Sequence, residues 1–136
     1  MEKERQSREI TISKMASLTE IVLQLHSLGG IKFGSFKLKS GKESPIYFDL
    51  RVMVQSPKLM ENIAKCMWNI FEGANASTDI LCGVPYTALP LATLMACQTG
   101  KPMLIIRKEK KEYGTSKRIE GLEGTMGKNC LIIEDV

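Results

Sequence analysis

Three short apolar runs, two of them separated by a helical stretch, constrain this chain more than any other feature. Residues 79–84, 102–106 and 130–134 are each almost continuously apolar, and residues 87–99 read as a helix that Gly100 closes. Strands of this kind are typical of a parallel sheet whose two faces are both covered. The sequence therefore predicts an α/β fold, a parallel sheet with helices on both faces.

The first third of the chain predicts a smaller α/β unit ahead of this sheet. Ser17 and Glu20 have the spacing of a capping box, and an apolar stripe with helical period follows them. Residues 31–38 and 45–51 are rich in aromatic and β-branched side chains, with a turn-rich connection between them. We expect a helix followed by two paired strands.

A second helix is predicted where the two parts of the chain meet. Ser56 and Pro57 have the residue types of a helix N-terminus, and an apolar stripe follows them. We expect residues 1–16 to form a flexible extension. Residues 17–56 should form the smaller α/β unit, a hood, and residues 57–136 the core with the parallel sheet.

Composition and charge narrow the class of protein. Of 136 residues, 43% are hydrophobic and 25% charged, which is typical of soluble globular proteins. No apolar run approaches the roughly 20 residues of a membrane span, and the charged N-terminus lacks the apolar region of a secretory signal. Cys66, Cys82, Cys97 and Cys130 show no metal-binding spacing, so we expect buried free thiols in a reducing compartment, the cytoplasm.

Basic residues concentrate between Lys101 and Arg118, a segment that contains seven basic residues and two acidic ones. Arg107 and Lys108 follow an apolar run directly, so an anion is the natural partner of this segment. A solvated charged loop is the ordinary alternative. Nucleic-acid binding is another, because Tyr113 could stack on a base, but two glutamates within the run and a single aromatic ring argue against it. We expect neither a nucleic acid nor a membrane as partner.

Residues 83–88 link an apolar run to the start of a helix. Free backbone N–H groups and the helix dipole favour an anion at such a position. An ordinary connection between a strand and a helix would have a similar sequence.

Glu134 and Asp135 follow the last apolar run. Adjacent acids at the end of a buried strand are costly unless they bind a metal, hydroxyl groups or a cation. Sugar hydroxyls and a magnesium ion would both satisfy them, whereas a chance pair at a frayed chain end is the alternative.

Lys39, Tyr47 and Phe48 form a further candidate group. Lys39 lies beside the predicted turn, and the two rings lie on the strand that follows it. The rings could stack on a planar ligand, although core packing alone would also account for them.

Together these segments resemble the orotate phosphoribosyltransferase family, in particular the form of the domain found in bifunctional animal enzymes. The motifs are Lys-Ser-Gly-x-x-Ser-Pro-Ile-Tyr at 39–47, Gly-Val-Pro-Tyr-Thr-Ala-Leu-Pro at 83–90, Arg-Lys-Glu-x-Lys-x-Tyr-Gly at 107–114 and Ile-Ile-Glu-Asp-Val at 132–136. The resemblance implies a type I phosphoribosyltransferase-like fold. It also implies transfer of phosphoribosyl from 5-phosphoribosyl 1-diphosphate (PRPP) to orotate, giving orotidine 5-phosphate and diphosphate in UMP synthesis.

The resemblance also assigns the substrate contacts. It implies that Lys39 contacts PRPP, and that Tyr47 and Phe48 lie against the orotate ring. Tyr86 and Thr87 correspond to the family's donor-binding loop.

The charged residues receive roles in the same way. Arg107 and Lys108 are expected to bind the diphosphate, and Glu134–Asp135 the ribose hydroxyls, with magnesium nearby through the donor. Lys111 matches the catalytic loop lysine, which reaches into the neighbouring subunit of a homodimer. Tyr113 takes a position that is often histidine in bacterial members.

The family places a phosphate-binding loop, further strands and an orotate-binding arginine after the acidic pair. The sequence stops at Val136. We therefore expect an incomplete domain, truncated after the third core strand, with little or no transferase activity of its own. A non-catalytic truncated isoform, acting as a dimerisation module with full-length subunits, is the alternative function.

Overall fold

The structure is a computed structural model that describes residues 17–109, 118–121 and 123–135. The described chain divides into two compact units, with the boundary between Gln55 and Ser56. The predicted flexible extension, residues 1–16, lies outside the described residues.

The first unit begins with helix α1, Leu18–Ser27, and its capping box confirms the prediction. The Ser17 N–H donates to Glu20 Oε2 at 2.6 Å, and the Glu20 N–H donates to Ser17 Oγ at 3.2 Å. Two backbone donors that the helix leaves unpaired are satisfied in this way. The apolar stripe is only partly buried, since Leu18 is 64% exposed.

The predicted pair of strands forms a hairpin. Strand β1, Ile31–Lys37, pairs antiparallel with β2, Glu43–Phe48, and Lys32 lies opposite Tyr47. The Leu38 N–H donates to the Lys42 carbonyl at 2.8 Å, which closes the turn between the strands.

The second strand is shorter than predicted, because the chain leaves the extended conformation after Phe48. Leu50–Gln55 is a 3-10 helix, so the extension of the strand to Arg51 was wrong. Asp49 Oδ1 accepts from the Arg51 N–H at 3.2 Å and from Arg51 Nε at 2.6 Å. An Asp side chain bonded two residues ahead favours a turn over a strand. Hydrogen bonding to Arg51 also holds the pKa of Asp49 below its ordinary value.

The second unit alternates helices and strands. Its elements are helix α2, Pro57–Gly73; strand β3, Ile80–Gly83; helix α3, Ala88–Thr99; and strands β4, Met103–Ile106, β5, Ile119–Glu120, and β6, Cys130–Ile133. Ser56 caps α2 as predicted, because its Oγ accepts from the Leu59 N–H at 3.3 Å. Thr87 precedes α3 but has helical backbone angles and makes no capping bond from its side chain. Gly100 ends α3 with a φ of 68°, which suits glycine.

The sheet of this unit has the strand order β5-β4-β3-β6. Strand β3 is parallel to both β4 and β6, so the predicted parallel sheet is confirmed. Strand β5 joins antiparallel to β4 and was not predicted, since two residues carry too little pattern.

Side-chain bonds fix where β6 begins beside β3. The buried Thr78 Oγ1 accepts from the Leu131 N–H at 3.0 Å and lies 2.8 Å from the Ile80 carbonyl. Asp79 Oδ2 accepts from the Asn129 N–H at 2.9 Å. Because a slip of one residue would break these bonds, they help to set the register of the two strands.

Helix α3 packs against the sheet, and α2 packs against α3. The approach is closest at Gly83, where an added Cβ would lie 2.9 Å from Ala92 Cβ. Ile80, Cys82 and Leu104 form a buried cluster that alternates with Gly83 along the strands and so lies on the other face. No helix of the described residues is long and apolar enough to cross a membrane.

The cysteines are free thiols, but the prediction that all are buried was wrong. Cys82 is buried and Cys66 half-buried, whereas Cys97 and Cys130 are exposed. An apolar neighbourhood in sequence does not decide which face of an element a residue takes. Burial raises the pKa of the Cys82 thiol, which disfavours its reactive thiolate form.

Gly83→Ala tests the close packing of α3 on β3. The new methyl group would overlap Ala92, so we expect the free energy of unfolding to fall by about 1–3 kcal/mol. Gly73→Ala is the control, because nothing lies within 4 Å of its added Cβ and alanine favours a helix. Urea unfolding measures both variants. A loss below about 0.5 kcal/mol for Gly83→Ala would contradict the packing described.

Candidate active site

Three loops leave one edge of the sheet because β4, β3 and β6 are parallel neighbours. The loop after β3, residues 84–87, lies between residues 107–109 after β4 and residues 134–135 after β6. The Val84 N–H donates to the Ile133 carbonyl at 2.9 Å, so the pairing of β3 with β6 continues to this edge. Ligands of open α/β sheets bind at such an edge.

A cleft of about 460 Å³ opens on the β4 side of this edge. Its lining residues are Pro85, Tyr86, Leu89, Ile105, Ile106, Arg107, Lys108, Glu109 and Glu120. The structure thus brings three predicted site residues together, Tyr86, Arg107 and Lys108. Lys108 Nζ lies 5.2 Å from the centre of the Tyr86 ring, a cation–π contact that holds the ammonium group at the cleft. The peptide between Pro85 and Tyr86 is cis.

Glu120 is a cleft residue that was not among the predicted site residues. Its Oε1 accepts from Arg107 Nε at 2.6 Å, and Arg107 Nη2 lies 2.5 Å from the same oxygen. Both side chains remain partly exposed, Arg107 at 38% and Glu120 at 43%. In the sequence Glu120 is an acid within the polar stretch, residues 115–127, that follows the basic run.

The acidic pair lies at the same edge, beyond the β3 loop. Glu134 is exposed and Asp135 half-buried, and the Asp135 N–H donates to Glu134 Oε1 at 3.2 Å. No three His, Cys, Asp or Glu side chains among the described residues come close enough to hold a metal ion.

The remaining predicted residues take different positions. Thr87 is half-buried in the turn before α3. In the first unit Lys39 is exposed in the hairpin turn, Tyr47 packs against Phe36 with 5.5 Å between ring centres, and Phe48 is 56% exposed. Successive strand residues point to opposite faces, so Tyr47 and Phe48 offer their rings on different sides of the hairpin.

Lys111 and Tyr113 lie outside the described residues, so their roles stay predictions.

The arrangement suits an elongated ligand with an anionic end and a hydroxyl-rich end. Neighbouring strands are about 4.8 Å apart, so the chain positions after β4 and β6 are separated by roughly 10 Å. Arg107 and Lys108, with Glu109 and Glu120 beside them, lie on one side of that span, and the Glu134–Asp135 pair lies on the other. The β3 loop lies between them. A sugar that carries a diphosphate has this size and this distribution of groups.

Comparison with known proteins identifies the family. The phosphoribosyl transferase domain family matches residues 53–136, more than half of the chain, and the protein belongs to this family. Uridine 5'-monophosphate synthase from Bos taurus is 48% identical over 121 residues, which cover 89% of this chain and 25% of the bovine protein. Orotate phosphoribosyltransferase from Caenorhabditis elegans is 42% identical over 118 residues, 87% of this chain and 52% of the nematode protein.

A solved structure supports the same assignment. UMP synthase from Leishmania donovani matches with a TM-score of 0.72 and 32% identity, covering 86% of this chain and 24% of that protein. The resemblance to orotate phosphoribosyltransferases, and the type of fold it implied, are thereby confirmed. The chain spans about a quarter of the bovine relative and about half of the nematode one.

Proposed function

We propose that this chain provides the donor-binding edge of an orotate phosphoribosyltransferase. In this reaction PRPP and orotate give orotidine 5-phosphate and diphosphate. One observation carries the proposal: the loop after β4, which holds Arg107 and Lys108, and the acidic pair after β6 flank the β3 loop on a single sheet edge. The name of the nematode relative supports the choice of orotate as acceptor, and the name of the bovine relative supports a place in UMP synthesis.

The positions of the charged residues support the roles proposed for them. Arg107 and Lys108, in the cleft, bind the diphosphate of PRPP, and Tyr86 supports Lys108 through its ring. Glu134 and Asp135 accept hydrogen bonds from the ribose hydroxyls. Thr87 belongs to the same donor loop as Tyr86.

The residues of the first unit and of the basic loop take the roles that the family resemblance implies. Lys39 contacts the donor, and Tyr47 and Phe48 serve the orotate ring. Lys111 is the catalytic lysine and acts across a homodimer. Tyr113 completes the loop beside it.

The chemistry follows from how charge develops. A nitrogen of orotate attacks the anomeric carbon as diphosphate leaves, so the sugar gains oxocarbenium character and the leaving group gains negative charge. Arg107 and Lys108 stabilise that negative charge more in the transition state than in the ground state. Magnesium bound with the donor would supply further neutralisation, and Glu134 and Asp135 would contact it.

Turnover in a chimera tests the proposed function and the role of Lys111. Residues 17–136 replace the corresponding half of the Caenorhabditis elegans enzyme, and orotidine 5-phosphate is followed with orotate, PRPP and magnesium. We expect activity, which Lys111→Ala lowers by about 100-fold or more because a cation acting on the transition state is lost.

Lys110→Ala is the matched control and should cost much less. A folded chimera that binds PRPP but forms no product would contradict the function. A larger loss for Lys110→Ala than for Lys111→Ala would contradict the role of Lys111 alone.

Glu134→Gln with Asp135→Asn tests the ribose contacts. Hydrogen bonds to charged groups contribute about 1.5–3 kcal/mol each, so we expect PRPP binding to weaken at least tenfold. Inorganic diphosphate lacks the ribose, and its affinity should change by less than about twofold on the same grounds. Calorimetry on the 136-residue chain without magnesium measures both ligands, so that a shared metal contact does not enter the comparison. Equal losses for both would mean that the substitutions damage the fold rather than a sugar contact.

A further inference from the structure

The carboxylate of Glu120 is already bonded to the Arg107 guanidinium, the group that the proposed function assigns to diphosphate binding. Arg107 directs two donors, Nε and Nη2, to the single oxygen Oε1 of Glu120. The pair lies in the wall of the cleft and both side chains stay partly exposed, so an incoming anion can reach the same guanidinium.

The backbone holds Glu120 in this place. Glu120 pairs with Ile105 in the β4–β5 ladder, and the Arg107 N–H donates to the Arg118 carbonyl at 2.8 Å. Positions 105 and 107 share one face of the extended chain, which puts Glu120 diagonally across from Arg107. Strand pairing therefore holds the backbone of Glu120 close to that of Arg107, so the ion pair does not depend on side-chain flexibility alone.

The charges of the cleft balance in this state. Arg107 and Lys108 carry two positive charges, and Glu109 and Glu120 carry two negative ones. A diphosphate that binds Arg107 has to displace Glu120, and Glu120 regains its partner when the diphosphate leaves.

We infer that Glu120 is an internal counter-ion of Arg107 that competes with diphosphate and assists the release of this product. The inference rests on the proposed function and adds a residue that sets the affinity of its leaving group. Glu120 weakens the product complex while keeping Arg107 at the cleft between turnovers.

Calorimetry with magnesium diphosphate on the 136-residue chain tests the inference. An exposed ion pair contributes about 0.2–1 kcal/mol, so Glu120→Gln should tighten diphosphate binding by roughly 1.5- to 5-fold. Glu109→Gln is the matched control, because it removes the same charge from the same cleft and should change the affinity less. In an Arg107→Gln background, Glu120→Gln should have no effect on diphosphate binding.

The other outcomes overturn the inference. Unchanged or weaker binding by Glu120→Gln would make Glu120 a support for Arg107, and an equal gain with Glu109→Gln would reduce the effect to net charge. Binding by neither the parent chain nor Glu120→Gln would also reject it. The proposed function is judged separately, by orotate-dependent turnover of the chimera, so either can fail while the other holds.

Discussion

Parallel pairing of β3 with both β4 and β6 is the constraint on which the candidate site depends. Parallel neighbouring strands end at the same edge of the sheet. Arg107 and Glu134, which are far apart in sequence, therefore lie on opposite sides of the β3 loop. Thr78 and Asp79, just before β3, secure this arrangement by accepting hydrogen bonds from the backbone of Leu131, in β6, and of Asn129, just before it. If the register slipped by one residue, the carboxylates would exchange faces and the site would be lost.

Charge distribution along that edge then determines what the site can bind. The cleft beside β4 presents Arg107 and Lys108, but each is already engaged, one by the Glu120 carboxylate and one by the Tyr86 ring. Such contacts hold the cations in place without burying them, which leaves them available to a ligand of higher charge. After β6, Glu134 is exposed and Asp135 half-buried, and carboxylates of this kind accept hydrogen bonds from hydroxyl groups.

Much of this fold could be predicted from local pattern. Apolar runs of strand length and capping residues such as Ser17 and Ser56 act within a few positions, so sequence alone places their elements. The early end of β2 escaped prediction because it depends on the Asp49 side chain bonding to Arg51. Glu120 escaped as a site residue because its role arises only when β5 pairs with β4 and sets it near Arg107, a contact thirteen residues apart.

Amide chemical shifts of the 136-residue chain, titrated with PRPP and magnesium, test most directly whether one sheet edge binds both parts of the donor. The account predicts that the largest changes occur together at residues 84–87, 107–109 and 134–135. Titration with diphosphate alone should shift the first two loops and leave residues 134–135 nearly unchanged. Changes absent from these loops, or concentrated on the outer surface of α2, would contradict the account.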